Sequence, residues 1–130
     1  MEITHEEISA IRNFITALNA ALESKVVVEG KRDSAALQSL GFTKSPLEFH
    51  SFGGVTRFAD SASRHKNLII LLDFDREGRY LTRRIISQLE RRTRIDLSYK
   101  KQLAKITKGK IRSIEDLSRY ELLVNDVPSF

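Results

Sequence analysis

The chain has 130 residues, of which 41% are hydrophobic and 30% charged, with a formal charge of +5; this balance predicts a soluble globular protein with one domain over residues 1–130. No apolar run approaches the roughly 20 residues of a membrane helix, and the start, MEITHEEISAIRNF, is acidic where a signal peptide is basic, so no membrane association is expected and a cytoplasmic location is the default. The sequence contains no cysteine, which excludes disulfides, thiolate nucleophiles and cysteine zinc sites and leaves carboxylates and three histidines as candidate metal ligands.

Thr4 and Glu7 have capping-box spacing, and Ile8, Ile11, Ile15, Leu18 and Leu22 recur at helical intervals, so residues 5–23 are predicted as an amphipathic helix. VVVEG at 26–30 is a β-branched run closed by glycine and reads as a buried parallel strand. A helix is expected from Ser34 to Leu40, ended by Gly41. LEFHSF at 47–52 alternates like a strand, and the Gly53-Gly54 turn leads into a helix from Val55 to Arg64. LIILLD at 68–73 is the strongest strand signal, buried on both faces by composition, and Leu81, Ile85 and Leu89 mark one side of a helix over 77–92. Thr93–Asp96 fits a short fourth strand, Leu97–Thr107 a basic helix, and Ser113 with Asp116 the cap of a last short helix through Tyr120. Repeated β-α units imply an α/β fold with a parallel sheet of about four strands, flanked by helices and joined by right-handed crossovers.

Charge is distributed unevenly. Residues 1–78 hold 9 Lys/Arg against 11 Asp/Glu, residues 79–112 hold 12 against 2, and residues 113–130 hold 1 against 4. A basic block beside an acidic cluster suggests a polyanion held by one and a metal by the other, although a solvated helix face explains a charge run equally well. Arg79, Arg83 and Arg84, then Arg91, Arg92 and Arg94, continue into Lys100, Lys101, Lys105 and Lys108, a spacing that suits a stripe following phosphates. Only Tyr80 and Tyr99 are aromatic in this block, so backbone or duplex recognition is expected in preference to single-strand readout.

The apolar strand at 68–73 runs straight into Asp73, Asp75 and Glu77. In an open parallel sheet, ligands bind beyond the carboxyl ends of the strands where strand order reverses, and Glu29 and Asp73 both stand at such ends. Asp75 faces the same side as Asp73 if the backbone stays extended for one more step. Carboxylates packed this closely repel one another unless a cation offsets them, and an all-oxygen set favours Mg²⁺ or Mn²⁺. Asp75 or Glu77 can equally be read as stabilising the start of the following helix.

Glu29 after the first strand, Gly53-Gly54 after the second, and Asp73-Phe74-Asp75 after the third resemble the Toprim domain of type IA and type II topoisomerases, bacterial-type primases, OLD-family nucleases and RNase M5-like proteins. The resemblance covers about residues 24–92. EGKRD at 29–33 is similar to the signature of RNase M5-like and small stand-alone Toprim proteins, and DFDREG at 73–78 to the type IA topoisomerase version. On this basis the helix at 5–23 and a basic helical extension at 93–130 flank a Toprim core. The resemblance implies that Glu29 acts as general acid or base or shares a metal, that Asp73 and Asp75 bind Mg²⁺, with Glu77 as a further ligand, and that a phosphodiester is the reacting group. Lys31, Arg32 and Arg76 beside the cluster can hold phosphate oxygens or simply balance charge. Asp33 matches a frequent family position or caps the helix at Ser34. Gly53 and Gly54 allow close backbone approach or supply positive φ.

The chain lacks the separate tyrosine-bearing domain and gate of a type IA topoisomerase and the added elements of a primase. Tyr80, Tyr99 and Tyr120 show no nucleophile signature. Hydrolysis needs only water, so a metal-dependent nuclease acting on RNA or DNA is the expected activity. The alternative is a non-catalytic nucleic-acid-binding module within a replication, repair or RNA-processing complex, with protein partners. His5, His50 and His65 show no ligand spacing; His50 falls near the end of the second strand and could approach the site, with a structural, hydrogen-bonded role the preferred expectation.

Overall fold

The computed structural model describes residues 2–125. Its elements are α1 (His5–Ala20), β1 (Ser24–Val28), α2 (Lys31–Ser39), β2 (Leu47–Glu48), α3 (Val55–Ala62), β3 (Asn67–Ile70), α4 (Arg76–Leu89), β4 (Arg94–Asp96), α5 (Ser98–Thr107) and α6 (Glu121–Asn125), with 3₁₀ turns at Phe49–Ser51 and Ile114–Tyr120. Every strand pair is parallel and the order is β2-β1-β3-β4. The chain goes from β1 outward to one edge and then returns past β1 to β3 and β4, so strand order reverses between β1 and β3. None of the described helices is long and apolar enough to cross a membrane.

Strand alternation divides the core into two layers. Val26, Val28, Ile69 and Leu71 face one side, where they pack with Ile11, Phe14 and Leu18 of α1, Leu37 of α2 and Leu103 of α5. Val27, Leu68, Ile70 and Leu72 face the other and meet Phe58 of α3 and Ile85 and Leu89 of α4. A strand buried on both faces must be apolar at every position, which accounts for the unbroken LIILL run. Residues 112–116 and the 3₁₀ turn that follows lie against α2, tied by the Glu115 amide donating to Asp33 Oδ1 at 2.8 Å.

Several boundaries depart from the sequence expectation: α1 ends at Ala20 rather than residue 23, the third strand at Ile70 rather than Asp73, and α4 at Leu89 rather than residue 92. The second strand stops at Glu48 rather than Phe52 because Phe49 turns inward and packs on Phe58, with ring centroids 5.5 Å apart. The second helix begins at Lys31, not Ser34, since Gly30 is its N-cap and Asp33 Oδ2 accepts the Gly30 amide at 3.0 Å. Asp33 therefore caps from inside the first turn. The segment expected to be a short helix through Tyr120 is 3₁₀, capped from within its first turn by Asp116, which accepts the Arg112 and Ser113 amides, and α6 follows it.

Candidate metal centre

The reversal point between β1 and β3 is where Glu29 and Asp73 emerge. Extended pairing continues past β3, with the Leu71 amide donating to the Val27 carbonyl at 2.8 Å. Two residues later the Asp73 amide donates to Glu29 Oε2 at 2.7 Å, which fixes the two strand ends to each other. One oxygen each from Glu29, Asp73 and Asp75 then lies within 4.8 Å of the others. Asp75 is also the N-cap of α4, where its Oδ1 accepts the Gly78 amide at 2.8 Å and leaves Oδ2 toward Arg112 Nε at 3.4 Å. The helix-capping reading of Asp75 is thus met through Oδ1, and the same residue also stands in the three-oxygen group.

Glu29 is buried and Asp73 partly so, and Asp73 Oδ1 is buried without a hydrogen-bond partner. Burial raises the Asp73 pKa from 3.8 to about 7, and the charges of Glu29, Asp33 and Asp75 add to the rise. An orphaned carboxylate oxygen among other carboxylates is what a cation would satisfy. Octahedral Mg²⁺, with bonds near 2.1 Å, sets its ligand oxygens about 3.0–4.2 Å apart, so the three carboxylates fit one such ion with little adjustment. Lys100 Nζ donates to the Asp73 carbonyl at 2.9 Å and sits 5.1 Å from the Phe74 ring centroid. Burial lowers the Lys100 pKa, against the carboxylates, which raise it.

The predicted site residues fall into three places. Glu29, Lys31, Arg32, Asp33, Asp73 and Asp75 line one crevice. Arg32 is paired with Glu115 at 3.7 Å, both exposed. Arg76 and Glu77 border the adjoining hollow with Asp75, so Glu77 is near the cluster without contributing to the three-oxygen group. Arg79, Arg83, Lys100 and Lys101 surround a groove between α4 and α5, with Arg84 against Tyr80. Arg91, Arg92 and Arg94 lie at the opposite, amino-terminal end of the sheet, beyond the far end of α4, a helix of 14 residues or about 20 Å. Arg92 is bound there to Asp60 and Ser63. Lys105 borders a hollow against α1. The basic block is therefore not one continuous stripe.

Gly53 and Gly54 have φ of +79° and +118° and lead into α3, the positive-φ role expected of them. The more demanding glycine is Gly78, where a Cβ would stand 2.1 Å from the Asp73 carbonyl oxygen. Only DFDREG ending in glycine signalled it in the sequence. Arg112 was also not anticipated as a site residue, and His50 was expected in a structural role, although its place near the end of the second strand allowed an approach to the site. The Arg112 carbonyl accepts the Phe74 amide at 2.7 Å, and its side chain reaches Asp75. His50 is exposed rather than buried in a structural bond, with Nε2 3.9 Å from Glu29 Oε1. Arg112 had no local sequence signal, because it arrives from the segment after α5, whereas His50 sits in the 3₁₀ turn directly after β2.

Tyr120 is buried and donates to Glu7 Oε2 at 2.9 Å, and Tyr99 packs edge-on against Phe14, so neither is presented as a nucleophile. Comparison with known proteins agrees with this architecture. Residues 24–111 match the sequence profile of the Toprim domain. The UPF0292 protein of Thermococcus sibiricus is 37% identical over 93 residues, 71% of this chain and 73% of its own. The UPF0292 protein of Methanocaldococcus jannaschii is 33% identical over 110 residues, 77% of this chain and 80% of its own. A solved structure of a protein from Aquifex aeolicus superposes with TM-score 0.65 at 22% identity, covering 80% of this chain and 94% of that one, which supports the fold. Toprim domains depend in general on divalent metal, and the acidic cluster here fits a metal-binding, nucleic-acid-processing module. Over the strand ends that carry this cluster as over the sheet that positions it, the chain belongs to the Toprim family, alongside the small UPF0292 proteins.

Proposed function

We propose that this Toprim protein is a Mg²⁺- or Mn²⁺-dependent nuclease that hydrolyses a phosphodiester of RNA or DNA. The observation that carries the reading is the Glu29-Asp73-Asp75 group, three carboxylate oxygens within 4.8 Å with Asp73 Oδ1 buried and unpartnered. Glu29, Asp73 and Asp75 would hold the ion; when bound, it supplies a positive centre for the charge that builds on a phosphoryl oxygen. Glu29 also has an oxygen available for proton work, since Oε2 is taken by the Asp73 amide while Oε1 faces His50. In the proposed reaction a water oxygen bonds to phosphorus as the P–O ester bond breaks. Glu29 Oε1 takes the water proton, and the leaving oxygen is protonated from solvent. Lys31 and Arg112 at the crevice wall, with Arg76 in the adjoining hollow, orient the non-reacting phosphate oxygens.

The test is calorimetry with Mg²⁺ and Mn²⁺ on the wild type and on Asp73→Asn/Asp75→Asn, each then assayed on labelled RNA and DNA. The nuclease reading expects metal binding and cleavage to be lost together in the double variant. Salt-dependent binding without turnover under either metal would instead favour a non-catalytic module. No metal binding even with nucleic acid present would overturn the assignment of the centre.

A further inference from the structure

The groove between α4 and α5 has a character that phosphate tracking alone does not require. Its floor is apolar, made by Phe74, Ile86, Leu97 and Ala104, all partly exposed, in a space of about 370 Å³. That falls within the range of about 300–1,000 Å³ typical of small-ligand sites. Two of its rim cations are fixed to the strand that carries the acidic centre: Arg79 Nη1 donates to the Phe74 carbonyl at 2.7 Å and Lys100 Nζ to the Asp73 carbonyl. Arg83 and Lys101 complete the rim.

This groove is continuous with the metal centre. Asp75 and Arg112 border both the acidic crevice and the hollow beside it, and Arg83 borders both that hollow and the groove. Tyr80 stands in the middle of the path. It is half-exposed, and the Arg84 guanidinium lies 5.8 Å from its ring centroid, an arrangement that offers a stacking face already flanked by charge.

We infer that the path from Asp75 past Tyr80 to the α4–α5 groove binds single-stranded nucleic acid, with a base on Tyr80 and a neighbouring base in the groove. The inference rests on the nucleic-acid reading of the acidic centre and names the form of substrate it takes. Phosphates gain nothing from an apolar floor, whereas a base has flat apolar faces and is linked to phosphates that suit the rim. Bases in a duplex are stacked on one another and paired, so they cannot enter such a groove without being flipped out. The sparse aromatics of the basic block pointed to duplex recognition; the apolar groove, assembled from residues 74–86 and 97–104, reverses that preference.

The test is fluorescence anisotropy in EDTA, with a short labelled oligonucleotide presented as a single strand or a duplex, in DNA and RNA forms. The single strand is expected to bind at least roughly tenfold more tightly than the duplex at equal salt. Tyr80→Ala, a change at an exposed side chain, and Ala104→Trp, which fills the groove, should each weaken single-strand binding by about tenfold and leave duplex binding nearly unchanged. Replacing individual nucleotides by abasic units should locate the bases concerned. Duplex binding as tight as single-strand binding, or equal weakening of both forms by Tyr80→Ala, would overturn the inference. Because no metal is present, the result is independent of hydrolysis: single-strand preference without cleavage would count against the nuclease alone, and cleavage without that preference against the single-strand path alone.

Discussion

Two carboxylates, one on α1 and one just past the end of β3, show what satisfaction of a polar group decides. Glu7, on α1, is buried and accepts from Lys110 Nζ and from the Tyr120 hydroxyl. The Lys110 hydrogen bond holds its pKa below the ordinary 4.5, with Tyr120 assisting, against the opposing effect of burial. Asp73 also loses solvent, but its near neighbours are other acids and one of its oxygens has no partner. Complete pairing makes the first a fastener between α1 and the carboxyl-terminal segment. Incomplete pairing makes the second a standing demand for a cation, and such unsatisfied sites are where structure is given over to function.

The largest effect should come from undoing the fastener. Glu7→Ala leaves the Lys110 ammonium and the Tyr120 hydroxyl without their acceptor, and breaking a buried pair in this way costs about 3–5 kcal/mol. Urea unfolding monitored by circular dichroism should show the loss as a lower midpoint. A change that left the midpoint in place would show that Glu7 contributes no more than a surface charge.

Gly78→Ala should cost less stability but act on the centre itself. Its Cβ cannot remain 2.1 Å from the Asp73 carbonyl, and relief by moving either α4 or residues 73–75 is expected to cost about 1–3 kcal/mol. Mg²⁺ titration should weaken by more than the global destabilisation explains. Unchanged metal affinity would show that the carboxylates tolerate a displaced α4.

The smallest change has the opposite sign. Asp73→Asn removes a destabilising charge, so the metal-free protein at pH 8 should become more stable by about 1 kcal/mol after allowance for solvent screening, while the stabilisation by added Mg²⁺ disappears. The pH dependence separates the two acids. Asp73 has a raised folded-state pKa, so its contribution is fully present below pH 3.8 and is lost as pH rises through about 7. Glu7 has a lowered one, so its contribution is present above pH 4.5 and is lost as pH falls through its folded-state value. Thermal melts between pH 5 and 8 without metal should therefore flatten in Asp73→Asn relative to the wild type. Parallel profiles would show that Asp73 ionises in the folded protein as easily as in water.

What the sequence made legible follows the range over which its signals act. The strand at LIILL, the helix that follows it and the convergence of Glu29, Asp73 and Asp75 depend on periodicity, strand ends and the parallel order, all of which are local or topological. The shortened β2 depends on Phe49 finding Phe58, a tertiary contact that alternation alone does not encode. Arg112 reaches the centre from the segment after α5, whose position is fixed by distant packing, and His50 from the 3₁₀ turn after β2. The basic block was legible as charge but not as geometry: α4 carries Arg79 and Arg83 to the site and delivers Arg91 and Arg92 to the other end of the sheet.

The hydrogen bond from the Glu115 amide to Asp33 spans 82 positions of the chain. One wall of the acidic crevice is thus supplied long after the strand ends it faces. At synthesis rates of about 5–20 residues per second, residues 112–116 follow Asp33 by roughly 4–16 s. Asp73 itself appears about halfway through that interval, so for roughly 2–8 s Glu29 and Asp73 can be brought together by the sheet while Arg112 and the clasp on α2 are still to come. The wall that carries Arg112 is therefore the last part of the crevice to be made, after all three carboxylates are already in the chain.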